Sequence, residues 1–117
     1  EERNILDHVR NIAPHFQARL AEFGTSPIVG EARGVGLIGA LEIVMDKSTR
    51  DQYPPEVKAG AQIAAAALAK GLIVRALPGD VIGICPPLII TKEQIDELFD
   101  ALASAVDDTA NILKQAA

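Results

Sequence analysis

Apolar residues recur every three or four positions at both ends of this chain and gather into β-branched runs through its middle. Ile5, Val9, Ile12, Phe16 and Leu20 form one stripe, which predicts a helix over residues 3–23. Pro14 lies inside that pattern and should kink or split it, and Gly24 supplies a stop. Residues 28–34 then read as a short strand weakened by Gly30, and residues 37–45 as a clearer one, polar only at Glu42. Residues 46–51 form a solvated loop. Pro54 and Pro55 suit the first turn of a second helix over residues 54–70, buried through Val57, Ala61, Ala64, Ala65 and Leu68. Lys70 and Gly71 end it, with a cation near the negative end and a glycine beyond.

Two further strands follow, over 72–77 and 81–91, on either side of Pro78-Gly79-Asp80. That tripeptide is turn chemistry: a fixed φ, a residue free to take positive φ, and a carboxylate that bonds nearby amides. Thr91 and Gln94 stand three apart as a capping box for the last helix. Its stripe runs through Ile95, Leu98, Phe99, Leu102, Val106, Ile112 and Leu113. The order is α-β-β-α-β-β-α. Short turns make adjacent strands antiparallel, so the expected fold is α+β, a mostly antiparallel or mixed four-stranded sheet covered by helices.

Composition narrows this picture. At 117 residues the chain is one domain, and at 49% hydrophobic with 3% aromatic its core is aliphatic. A net charge of −5 argues against the broad basic face that nucleic acid or an anionic membrane requires, and says nothing about a local anion site. A single cysteine excludes an internal disulfide and fits a reduced, cytoplasmic setting. No apolar run is long enough to span a bilayer, and no signal peptide is visible. The chain opens on Glu1-Glu2-Arg3, with neither Met nor a capping residue ahead of the first stripe. That opening reads as a cut from a longer protein.

Candidate chemistry is sparse. Arg75 interrupts a run that otherwise looks buried, and a guanidinium must reach water, a carboxylate or a bound anion. On the residues alone two readings stay open: an edge-strand arginine facing solvent or a surface acid, or a fixed fork for a carboxylate or phosphate. Cys85 reads as a small buried hydrophobe, and His8 and His15, seven apart, as ordinary surface or stripe-edge residues. Gly34-x-Gly36-x-x-Gly39 matches the dinucleotide fingerprint only as a string, because strand rather than helix follows it. Those glycines are expected to serve a tight hairpin or close backbone packing. No catalytic triad, metal-ligand cluster or phosphate loop is present, so no catalytic, cofactor-binding or metal-binding residue is assigned. From these features alone the domain could equally be a free-standing metabolite-binding or regulatory module, a dimerisation module, or part of an enzyme.

Three segments carry a resemblance. They are residues 29–42 (Val-Gly-Glu-Ala-Arg-Gly-Val-Gly-Leu-Ile-Gly-Ala-Leu-Glu), residues 71–75 leading to Gly79-Asp80, and residues 85–96 from Cys85-Pro86-Pro87 onward. In order and spacing they resemble the C-terminal small domain of class III, fold-type-I, pyridoxal-phosphate-dependent aminotransferases, closest to ω-amino acid–pyruvate transaminases. The resemblance spans residues 1–117 as one such domain. It implies an intact enzyme that moves an amino group between an amine or amino acid and a keto acid such as pyruvate. It implies pyridoxal phosphate carried by a lysine of a large domain outside this segment, which alone would be inactive. Lys47, Lys58, Lys70, Lys92 and Lys114 do not match that lysine's motif. It also implies a homodimer, with small molecules as partners and no nucleic acid or membrane. By resemblance, Arg75 is the substrate-carboxylate arginine, Asp80, Pro86 and Pro87 shape the turn and strand that aim it, and Arg33 and Glu42 are structural ion-pair candidates.

Overall fold

A computed structural model describes the backbone of residues 2–116 and the side chains of residues 5–114. The uncapped opening noted above involves Glu1, outside the described residues. The elements are α1 (Glu2–Ala21), β1 (Val29–Val35), β2 (Ile38–Ile43), α2 (Ala59–Ala69), β3 (Arg75–Leu77), β4 (Val81–Ile84) and α3 (Lys92–Ala116). The order is the α-β-β-α-β-β-α expected from the apolar pattern. The strands form one sheet in the order β1-β2-β4-β3, and every pairing is antiparallel rather than mixed. The helix between the hairpins lets the second pair return beside β2, leaving β1 and β3 as edges.

Period-two alternation divides the sheet into two faces. Leu41, Ile43, Ile82 and Ile84 point into one core with Phe16 and Leu20 of α1, Ile63 of α2 and Ile95, Phe99 and Leu102 of α3. Aromatics are few but central: the Phe16 and Phe99 rings meet edge to face at 5.0 Å. Gly39 turns to this side, where a Cβ would lie 2.9 Å from Leu20 Cδ2, so the glycine lets α1 settle against the sheet. Gly36, at φ 59°, makes the β1–β2 turn. The Gly34-x-Gly36-x-x-Gly39 string is thus hairpin and helix contact.

Several boundaries move. Pro14 does not split α1; its side chain is exposed, so the carbonyl that loses its amide partner faces water. After α1 the chain tightens through a 3₁₀ turn, Glu22–Thr25, which buries Phe23, rather than stopping on Gly24 in the left-handed region. Helix α2 starts at Ala59, not Pro54: Pro55–Val57 is a separate 3₁₀ turn, and Lys58 at φ 54° breaks the two apart. β3 has three residues, and β4 stops at Ile84. Pro86 and Pro87 have no amide hydrogen to continue a ladder, so residues 85–91 are loop. Cys85 is therefore exposed, against the expectation of burial.

The capping box forms as expected. Thr91 N–H donates to Gln94 Oε1 at 3.0 Å, and Gln94 N–H to Thr91 Oγ1 at 3.2 Å.

Candidate functional site

Arg75 opens β3, directly opposite Gly83 of β4. Gly83 pairs in turn with Ala40 of β2, and Ala40 with Arg33 of β1. These four residues form one row across the sheet face that the helices do not cover. Small residues occupy its middle and an arginine each edge. The arginines differ in electrostatic state. Arg33 lies 3.3 Å from Glu31 and 3.7 Å from Glu42, and Glu42 also meets Arg50 at 3.8 Å. Arg33 and Glu42 are thus the structural ion pair expected of them. Arg10 pairs with Asp7, and Arg19 with Glu22, Asp96 and Asp100. Among the described residues Arg75 has no carboxylate within ion-pair distance, and it is exposed. An unneutralised guanidinium has the geometry to take two parallel bonds to a planar anion.

The β3–β4 turn fixes where that strand points. Gly79 and Asp80 both take positive φ, 82° and 56°. Asp80 then makes two attachments. Its carbonyl accepts Ile43 N–H at 2.9 Å, and its Oδ1 accepts Gly60 N–H at 3.1 Å. Gly60 lies in the first turn of α2, whose N-cap residue Lys58 makes no side-chain cap. Asp80 caps α2 from 20 residues away. Gln52 Nε2 adds a bond to Gly79 O at 3.3 Å. The turn carrying β3 is thereby tied to α2 and to the end of β2.

Pro86 and Pro87 follow the end of β4, the strand that pairs with β3. They line a groove of about 310 Å³ with Leu72, Ile84, Cys85, Gln94 and Leu98, and Arg75 is not part of it. Their loop is held by His8, whose Nε2 lies 2.6 Å from Ile90 O.

The histidines are more engaged than their sequence setting suggested. His15 Nε2 lies 2.7 Å from Asp96 Oδ1, which also accepts from Arg19 at 2.9 Å, while Arg19 reaches Asp100 at 2.7 Å. The bond from His15, joined by Arg19, holds the Asp96 carboxyl below its usual range. Asp100 leads the contacts that keep Arg19 protonated even beyond its ordinary range. This is a clasp between α1 and α3. Its sequence signal is spacing: His15 and Arg19, like Asp96 and Asp100, stand four apart on a helix.

The family model for class-III aminotransferases matches residues 1–106. This chain belongs to the class-III aminotransferase family. An uncharacterized aminotransferase of Sinorhizobium fredii, y4uB, is 44% identical over 108 residues, covering 91% of this chain and 23% of its own. The mitochondrial gamma aminobutyrate transaminase 1 of Solanum lycopersicum is 42% identical over 109 residues, 93% of this chain and 21% of its own. The crystal structure of an omega-transferase from Vibrio fluvialis JS17 superposes with TM-score 0.93 at 35% identity, covering 97% of this chain and 27% of that one. The chain therefore spans about a quarter of the length of these aminotransferases.

Membership implies dependence of the intact enzyme on pyridoxal phosphate, and a Vibrio fluvialis aminotransferase of this fold, 37% identical, is known with the aminated cofactor bound. The lysines described here do not fit the cofactor. Lys47 Nζ donates to Gly24 O at 2.6 Å and Ser26 O at 3.0 Å, and Lys70 pairs with Asp108 at 3.0 Å. Lys58 is exposed just before α2, and Lys92 and Lys114 are exposed toward opposite ends of α3. Among the described residues no helix is long and apolar enough to cross a membrane.

Proposed function

We propose that residues 1–117 are the C-terminal small domain of a longer pyridoxal-phosphate-dependent transaminase, which moves an amino group between an amine or ω-amino acid and a keto acid such as pyruvate. Arg75 is its receptor for the substrate carboxylate. The observation that carries this role is the contrast among the arginines: the others with described side chains are neutralised by neighbouring acids, whereas Arg75 is exposed with none. Two parallel charge-assisted bonds from a planar fork fix both the position and the orientation of a carboxylate. Asp80 holds the turn behind β3, and Pro86 and Pro87 end β4 beside it.

The cofactor supplies the electron sink for the transfer, and it is bound by the part of the enzyme outside this chain. The intact enzyme is a cytoplasmic homodimer in this reading, which the lone exposed thiol of Cys85 suits.

The native gene product tests the proposal. It should run several times larger than 12.4 kDa on a blot of source-cell lysate. Purified with pyridoxal phosphate, it should transaminate pyruvate with an ω-amino acid. A product of the chain's own size, or a longer one without transaminase activity, would overturn it.

A further inference from the structure

Gly60 has no reason to be glycine within its own helix. It is the second residue of α2, it is buried, and it does not take the positive φ that favours glycine. A glycine in a helix weakens it relative to alanine. The reason lies across the contact with the β3–β4 turn. A Cβ on Gly60 would stand 3.3 Å from both Cα and Oδ1 of Asp80, closer than such atoms ordinarily pack. The bare Cα lets the turn reach the helix, where Gly60 N–H meets Asp80 Oδ1 at 3.1 Å. Both sides of that contact are firm. Helix α2 packs on α3, with Ala59, Ile63 and Ala67 fully buried. Asp80 O is held by Ile43 N–H at 2.9 Å, and β4 is paired with β2 from Val81 to Ile84. By contrast β3 has three residues, lies at the sheet edge and pairs with β4 alone. If Asp80 is displaced, β3 is the element that yields, and β3 begins with Arg75.

We propose that Gly60 is a positioning residue for carboxylate recognition: its missing side chain sets how closely the β3–β4 turn sits on α2 and, through Asp80, where Arg75 reaches. The proposal rests on the reading of Arg75 as the receptor for the substrate carboxylate. A Cβ at position 60 forces Asp80 to give by a few tenths of an ångström. Two parallel bonds from a guanidinium to a carboxylate need alignment to within roughly 0.5 Å, so a shift of that size is felt by the fork. A substrate without a carboxylate does not engage the fork and is indifferent to the shift.

The test uses the native gene product carrying Gly60→Ala and, separately, Gly60→Ser, which places the same Cβ without alanine's gain in helix propensity. kcat and KM are measured for 4-aminobutyrate and for butylamine, beside wild type and Arg75→Ala. The expected result in both variants is a fall in kcat/KM of about three- to tenfold for 4-aminobutyrate, carried by KM, with butylamine within about twofold of wild type. Adding Gly60→Ala to Asp80→Ala should lower the 4-aminobutyrate value by less than about twofold further, because both act through one attachment. Equal losses for the two donors, no loss for 4-aminobutyrate, or losses that multiply in the double variant would overturn the proposal. Unaffected Gly60 variants beside an Arg75→Ala enzyme that selectively loses 4-aminobutyrate would refute the positioning role alone. An Arg75→Ala enzyme that keeps 4-aminobutyrate would remove the receptor reading and this proposal together.

Discussion

Replacing Asp80 should unfasten the turn that carries Arg75, and the structure sets the size of the effect. In Asp80→Ala three things are lost. Gly60 N–H loses its acceptor at 3.1 Å in a helix with no other side-chain cap, a loss of about 1 kcal/mol. The first turn of α2 contains no acid, so it also loses its one nearby negative charge, about 0.3–1 kcal/mol. Alanine must then hold φ 56°, which costs about 1 kcal/mol where aspartate tolerates it better. Together this is about 2–3 kcal/mol. For 117 residues the melting entropy is about 0.25 kcal/mol/K. Differential scanning calorimetry of the chain should therefore show Tm lowered by about 8–12 °C. Asp80→Asn keeps an acceptor oxygen and tolerates positive φ, so its loss should be about 1–4 °C and shrink in high salt. Asp80→Gly relieves the strain without restoring the cap and should fall between them. An asparagine variant as unstable as the alanine variant, or an alanine variant within 2 °C of wild type, would refute the reasoning.

Other consequences follow from the core and the clasp. Phe99 is fully buried, with Phe16 at 5.0 Å and Phe23 at 6.0 Å, so Phe99→Ala should cost about 3–5 kcal/mol in urea titration. Asp96 has its folded pKa lowered, so its stabilisation is present above the ordinary carboxylate value near ~4 and is lost as pH falls through the folded value. The Tm gap between wild type and Asp96→Asn should accordingly be full at about pH 5–6 and close toward about pH 2–3. A gap that stays constant across that range would contradict the pairing with His15 and Arg19.

Period and turn chemistry made the element order legible, because a helix stripe and a β-branched run leave different patterns along the chain. Boundaries were less legible. Lys58 takes left-handed φ for reasons that no local pattern encodes, and α2 starts after it. Pro86 and Pro87 do announce the end of β4, yet the apolar run beyond them masks the signal and makes Cys85 look buried. Asp80 was legible as a turn residue, whereas its capping of Gly60 needs the folded chain to bring α2 beside the hairpin. The clasp hides in sequence because His15 and Asp96 lie 81 residues apart. Arg75 stood out as the charge in an apolar run. Only the fold shows that, among the described residues, the other arginines are paired with acids and this one is left open.

The central claim is that Arg75 receives the substrate carboxylate, and Arg75→Ala in the intact enzyme tests it most directly. The quantity to measure is kcat/KM for a carboxylate-bearing ω-amino acid and, in parallel, for an uncharged amine. Loss of a charge-assisted fork is worth about 1.5–3 kcal/mol, or a fall of about 10- to 150-fold for the ω-amino acid. The uncharged amine should stay within about threefold of wild type, since it never engaged the fork. Equal losses for both substrates would contradict the account.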